Sequence, residues 1–158
     1  MFGLPLTFRS DIPSDRLLAL TWQAQVRRDL GDCLELQVSG MESTTAYDQL
    51  GKGALTLFFY DWIGDYPDPE NFLAPLLGCE KAEGDRCAKG NSALSGSFWS
   101  APGLDAELLR SSRLDGPERE RLLRAIQRRT AAAVPYLPVW LMACLLYTSP
   151  SPRDRTRS

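Results

Sequence analysis

Histidine is absent from the 158-residue sequence, and cysteine is scarce, with only four residues. A zinc site of ordinary spacing needs several Cys or His ligands, and a His-assisted nucleophile needs an imidazole base. The composition therefore excludes both kinds of site and weakens the case for most hydrolase mechanisms. We expect no metal ion and no other cofactor.

Long apolar segments are also lacking. Arg9 and Asp11 interrupt the apolar opening of the chain, so we expect no signal peptide in the sequence as written. The longest apolar stretch, residues 134–147, is broken by Pro135 and Pro138 and falls well short of the about 18 residues that a spanning helix needs. We expect no membrane segment.

An excess of positive charge is lacking once the C-terminal tail is set aside. Eleven consecutive residues, 144–154, match the translation of a transposase-type sequencing adapter, so we exclude residues 144–158 from fold reasoning as a disordered, adapter-derived tail. The alternative is a natural disordered terminus rich in Pro, Ser and Arg. Residues 1–143 then hold 15 basic and 19 acidic residues, three and one fewer than the whole chain. A net charge near −4 argues against nucleic acid as a partner.

Short periodic segments alternate along the first 60 residues. The predicted strands lie around residues 4–8 and over 33–38 and 54–60, and the predicted helices lie over 15–30 and 43–50. We interpret Cys33 as a buried small hydrophobe in the second strand and Ser14 as the cap of the first helix. The order β-α-β-α-β is typical of an α/β protein with a parallel sheet and right-handed crossovers.

The C-terminal half is predicted to be mainly helical. The predicted helices span residues 69–77, 103–111 and 117–133. A long loop is predicted at residues 78–100, and an extended edge segment at residues 136–142. Asp115 and Glu118 are spaced as a capping box at the start of the last helix. Arginines alternate with glutamates along that helix, Arg119 among them, which is typical of a solvated face.

A cluster of aromatic and acidic residues follows the third predicted strand. Residues 61–69 leave the sheet at the edge where α/β proteins bind their ligands, and the turn exposes Trp62, Asp65 and Tyr66 together. An Asp beside Gly and Pro can also serve only its own turn, so that alternative stays open for Asp65. We expect Asp68 to cap the helix that begins at Pro69.

Cys79 and Cys87 lie eight positions apart in the long loop. This separation allows a small disulfide ring in an oxidising compartment, whereas in a reducing one the two thiols stay free. The sequence leaves both alternatives open.

Four segments carry a family resemblance: WIGDYPDPENFL at 62–73, GSFWS at 96–100, LDAEL at 104–108 and AVPYLPV at 133–139. Together they resemble the family 5 extracellular solute-binding proteins of bacterial ABC importers, which include oligopeptide, dipeptide and nickel receptors. The resemblance implies that residues 1–143 are the C-terminal part of such a receptor, mostly one truncated lobe of a periplasmic-binding-protein-like fold.

The resemblance also implies a function. In peptide-binding members, an aspartate at the place of Asp65 pairs with the ligand's α-ammonium, and an aromatic residue at the place of Trp62 walls the site; Tyr66 is a further candidate. The parent protein would be a non-enzymatic receptor, periplasmic or extracytoplasmic, that delivers peptide or another small solute to permease and ATPase subunits. Some oligopeptide receptors carry a basic residue where this chain has Phe59, so a ligand carboxylate would be met elsewhere.

Two alternatives remain for the function. In the first, Asp65 and either Asp68 or Glu70 form the acid/base pair of a glycosidase-type hydrolase. In the second, the chain is a non-catalytic α/β interaction module.

Overall fold

A three-stranded parallel sheet lies at the centre of the N-terminal half. The computed structural model describes residues 2–139. Strand β1 (Phe2–Arg9) pairs along its whole length with β2 (Leu34–Met41) on one side and over two residues with β3 (Leu57–Phe58) on the other. The order β2-β1-β3, with all strands parallel, confirms the predicted α/β class.

Two helices connect these strands. Helix α1 (Pro13–Leu30) packs Leu18, Trp22 and Val26 against the apolar side chains of the sheet, which explains its four-residue apolar spacing. Ser14 does not cap it, because the helix already begins at Pro13, a residue suited to the first turn. Helix α2 (Ser43–Gly51) begins after Glu42, whose carboxylate accepts hydrogen bonds from two backbone amides of the first turn.

The C-terminal half packs around a second core. Its elements, in chain order, are α3 (Glu70–Leu77), β4 (Lys81–Glu83), β5 (Arg86–Lys89), α4 (Asn91–Leu94), α5 (Leu104–Ser111) and α6 (Gly116–Ala133). The buried side chains of this core are Leu77, Leu104, Leu108 and Ile126. Helices α3, α5 and α6 therefore enclose one apolar centre.

Several predictions about local structure are wrong. The third strand spans only Leu57–Phe58, because residues 54–60 find just two partners on β1. Residues 78–100 are not one loop, since they contain the β4–β5 hairpin and α4. Cys33 is exposed and precedes β2 instead of being buried in it.

Two further corrections concern the C-terminal half. The predicted capping box at α6 does not form: Asp115 makes no side-chain cap, and Glu118 forms an ion pair with Arg110 instead. Residues 136–139 belong to no strand. Residues 140–142 of the predicted edge segment and the whole of 144–158 lie outside the described residues.

Within residues 2–139, no helix combines the length and the apolar character that a bilayer crossing requires. The same part of the chain contains no cluster of three or more side chains able to ligate a metal ion.

Candidate functional site

The candidate site is the irregular segment 61–69, which leaves the carboxyl edge of the parallel sheet after β3. All three residues predicted for the site are exposed there: Trp62, Asp65 and Tyr66. Trp62 is 36% exposed and Tyr66 is 52% exposed, so both rings keep large apolar faces in contact with solvent. The structure thus brings the three predicted residues to the surface of one short segment.

Asn71, in the first turn of α3, holds this segment in place. The indole Nε1 of Trp62 donates a hydrogen bond of 2.7 Å to the carbonyl oxygen of Asn71. The amide Nδ2 of Asn71 in turn donates to the carbonyl oxygen of Tyr66 at 3.2 Å. Asn71 is only 5% exposed, and a hydrogen bond shielded from water holds its partners firmly. No signal in the sequence marks Asn71 as part of the site, because its position in a helical turn has no functional pattern.

Gly64 allows the segment to lie close to α3. A Cβ atom at this position would meet the ring of Phe72 at 2.9 Å, a contact that real side chains essentially never make. Any larger residue at this position would require the exposed ring of Phe72 to move.

Asp68 is held by an arginine from α6. Its two carboxylate oxygens accept hydrogen bonds of 2.8 and 2.9 Å from Arg119, and one of them also accepts from the backbone amide of Glu70 at 2.8 Å. The Arg119 guanidinium holds the pKa of Asp68 below its ordinary value, and the Glu70 amide acts in the same direction. The predicted capping contact is therefore present, although α3 begins at Glu70. The interpretation of Arg119 as part of a solvated face is wrong.

Asp61, at the other end of the segment, is held by Arg9 at the end of β1. The Arg9 guanidinium donates to Asp61 at 2.7 Å, to the Tyr47 hydroxyl at 2.9 Å, and to both oxygens of Asp15 at 2.6 and 3.2 Å. The side chains of Arg9 and Asp15 are only 9% and 8% exposed, whereas that of Asp61 is 46% exposed. The hydrogen bond to Asp15 raises the pKa of Arg9 still further above its usual range. Nothing in the sequence analysis pointed to this cluster.

Asp65 differs from these two neighbours. It is exposed, and within residues 2–139 it takes no part in the ion pairs that hold Asp61 and Asp68. Among the three aspartates of the segment, Asp65 is therefore the one whose carboxylate remains available to a ligand.

Cys79 and Cys87 are joined by a disulfide bond, so the structure takes the first of the two alternatives left open by the sequence. The bond ties the end of α3 to β5, with a Cα–Cα distance of 5.7 Å. The backbone amide of Cys79 also donates to Asp105 in α5 at 2.6 Å. The bridge thus stabilises the packing beside the segment and does not contribute to the candidate site.

An open groove lies beside the candidate site. It runs between Pro69 and the first turns of α6, where Arg119, Glu120 and Leu123 line it, and it includes none of Trp62, Asp65 and Tyr66. We place the candidate site at residues 62–66 and not in this groove, because that segment exposes a carboxylate and two aromatic rings that suit a charged ligand.

The chain is similar to a curated protein and to several solved structures. No family model matches the chain. The chain is 34% identical over 89 residues to the Di/tripeptide-binding protein 2 of Pseudomonas aeruginosa (strain UCBPP-PA14), a match that covers 55% of this chain and 15% of that protein.

Solved structures of binding proteins share the fold. The Escherichia coli murein tripeptide binding protein MppA matches with a TM-score of 0.66 and 18% identity over 85% of this chain and 24% of its own. The periplasmic binding protein DppA from Helicobacter pylori, in complex with the peptide STSA, matches with a TM-score of 0.62 and 21% identity over 86% and 25%. The dipeptide binding protein from Pseudoalteromonas sp. SM9913, in complex with Met-Leu, matches with 0.66 and 22% over 85% and 25%.

These matches agree with the resemblance that the sequence predicted: the chain is similar to part of a di/tripeptide-binding protein and shares the fold of solved peptide-binding proteins. It spans 15% of the length of the curated relative and about a quarter of the length of the solved structures. All of these relatives are named as binding proteins.

Proposed function

We propose that the chain is part of the substrate-binding component of an ABC importer for peptides, and that Asp65 pairs with the ligand's amino group. The observation that carries the proposal is the availability of Asp65, since the flanking Asp61 and Asp68 are both engaged by arginines. The printed names of the relatives, which refer to di- and tripeptides and to bound peptides, support peptides as the ligand class.

The chemistry of an ammonium ligand supports this role for Asp65. An ammonium group that leaves water loses strong hydration, and a charge-assisted hydrogen bond to a carboxylate offsets that loss. Aromatic faces next to the cation add about 0.5 to 2 kcal/mol and keep water away from the ion pair. Trp62 suits this role because its indole is fixed by the hydrogen bond to Asn71, and Tyr66 lies one residue after Asp65.

The disulfide supports the predicted location of the parent receptor. Structural disulfides persist in oxidising compartments, and the Cys79–Cys87 bridge therefore suits a protein that works outside the cytoplasm, in the periplasm or at the outer face of the membrane. Three of the similar solved proteins are described as periplasmic. In the proposed function, the parent receptor closes two lobes over the peptide and passes it to permease and ATPase subunits.

The state of Asp68 opposes the hydrolase alternative. A glycosidase needs one carboxyl group that stays protonated as a general acid, which requires a raised pKa. Arg119 shifts the pKa of Asp68 in the opposite direction, so Asp68 does not suit the role of general acid in such a pair.

The test uses the full-length receptor that contains this segment, and the variant is Asp65→Asn. Loss of a charge-assisted hydrogen bond, about 1.5 to 3 kcal/mol, should weaken binding of a peptide with a free amino terminus by roughly 10- to 150-fold. The same peptide with an N-acetylated terminus should lose almost nothing. Isothermal titration calorimetry measures both affinities.

Asp32→Asn is the matched control. Asp32 is also exposed, but it precedes the amino end of β2 and thus lies at the opposite edge of the parallel sheet. This variant should bind both peptides like the wild type. Equal losses for the free and acetylated peptides in Asp65→Asn would refute the pairing, and hydrolysis of a glycoside by the wild type would favour the enzyme.

A further inference from the structure

The ion pair between Arg119 and Asp68 sets the charge next to the candidate site. We propose that Arg119 is a specificity-determining residue: by pairing with Asp68 it removes one negative charge close to Asp65, and so limits binding of peptides with a second positive charge in their first residue. This inference rests on the proposed function, because it concerns the ligand class of the same site.

The geometry shows that Arg119 is committed to this contact. Its two terminal nitrogens bind the two oxygens of Asp68 side by side, and its Nε donates to the carbonyl oxygen of Ser111 at 2.9 Å. The side chains of Arg119 and Asp68 are only 21% and 27% exposed. A bidentate arginine anchored by a third acceptor holds its charge in one place, unlike most surface ion pairs.

The two carboxylates are near enough for the charge of Asp68 to act on the ligand of Asp65. Asp65 and Asp68 are three positions apart in the chain, so their Cα atoms are at most about 11 Å apart. The backbone amide of Asp68 donates to the carbonyl oxygen of Tyr66 at 2.9 Å, so the chain turns there and the span is shorter than this limit. Charges about 10 Å apart still interact at low ionic strength, where the screening length exceeds that distance.

At the other end of the segment, Arg9 pairs with an aspartate as Arg119 does with Asp68. It pairs with Asp61, four residues before Asp65, and thereby removes the other flanking charge. Arg9 is less suitable for a test, because its partner Asp15 is buried and a substitution would disturb the core.

The expected effect follows from Coulomb's law. At about 10 Å and an effective dielectric constant of roughly 40 to 80, an unpaired Asp68 should favour a second positive charge on the ligand by about two- to fourfold in affinity. Salt near 1 M, where the screening length is about 3 Å, should abolish this effect.

The experiment uses the full-length receptor and two tripeptides, Lys-Ala-Ala and norleucine-Ala-Ala. Both have the free α-amino group, and they differ mainly in the side-chain ammonium. The measured quantity is the ratio of their two affinities, obtained by isothermal titration calorimetry at low salt. Arg119→Gln should shift this ratio toward the lysine peptide by about two- to fourfold.

The matched control is the double variant Arg119→Gln/Asp68→Asn. It loses the same arginine and the same contact with Ser111, but it has no unpaired charge at position 68. Its affinity ratio should return to that of the wild type. A merely structural role for Arg119 would weaken both peptides alike in both variants and would leave the ratio unchanged.

Two further variants keep the test decisive if Arg119→Gln fails to fold. Arg119→Lys retains the charge and should keep the wild-type ratio, whereas Asp68→Asn leaves the cation unpaired and should shift the ratio away from the lysine peptide. An unchanged ratio in Asp68→Asn and in any folded Arg119→Gln protein would overturn the inference. If the wild type binds neither peptide, or if Asp65→Asn has no effect, the proposed function itself is wrong, and the inference about Arg119 is wrong with it.

Discussion

Substitution of Arg9 by methionine should destabilise the protein strongly, because it leaves a buried carboxylate without its partner. The side chain of Asp15 is 8% exposed, and Arg9 donates two hydrogen bonds to it. Breaking a buried ion pair by removing one partner costs about 3 to 5 kcal/mol. The loss at Asp61 adds little, at most about 1 kcal/mol, because that carboxylate is 46% exposed and regains water.

Urea denaturation of the purified chain, followed by circular dichroism, measures this loss. With a slope of about 2 kcal/mol per molar urea, the midpoint for Arg9→Met should fall by roughly 2 M. Asp61→Asn, which removes only the exposed partner, should stay within about 1 kcal/mol of the wild type.

A double variant separates the buried charge from other effects of the substitution. Arg9→Met/Asp15→Asn removes both charges, and it should be more stable than Arg9→Met alone because no unpaired ion remains in the interior. If Arg9→Met unfolds within about 1 kcal/mol of the wild type, or if the effects of the two substitutions simply add, the cluster does not have the energetic role that its burial implies.

Two other predictions concern the C-terminal half. Reducing the disulfide between Cys79 and Cys87 should lower the free energy of unfolding by about 2.5 kcal/mol, the loop-closure value for eight residues; equal urea midpoints with and without reductant would contradict this. Burial raises the pKa of Tyr136, whose hydroxyl donates to the carbonyl oxygen of Leu76, so its contribution to stability should be complete below about pH 10 and lost as the pH rises through the folded value. Melting temperatures at pH values of about 8 to 11 should therefore fall less in Tyr136→Phe than in the wild type, and parallel curves would refute the assignment.

The order of elements could be predicted because the signals for it are local. Helix α1 and helix α2 show their apolar faces within a few turns of sequence, and β1 and β2 show theirs within eight residues each. The length of β3 could not be predicted in this way. The length of β3 depends on how many of its residues pair with β1, and β1 lies more than 40 residues earlier in the chain.

The β4–β5 hairpin was missed for a different reason. Its strands consist largely of charged residues, so no alternation of apolar and polar positions marks them. The hairpin turns at Gly84, whose φ of 68° favours glycine, and the disulfide of Cys87 anchors it to the end of α3. The hairpin is thus fixed by a disulfide and a glycine turn, and neither produces the apolar alternation by which strands are predicted from sequence.

The three aspartates of residues 61–69 show most clearly what tertiary structure adds to a site prediction. In the sequence they are three carboxylates within eight positions, and only Asp68 has a local signal, the Pro69 that follows it, for a structural role. Their difference arises from arginines 52 and 51 residues away, which engage Asp61 and Asp68, and no local pattern encodes such pairs. The family resemblance selected Asp65 by its place in a motif. The arginine pairs support the same choice for a physical reason, since a ligand's ammonium group competes for a carboxylate most easily where no guanidinium already holds it.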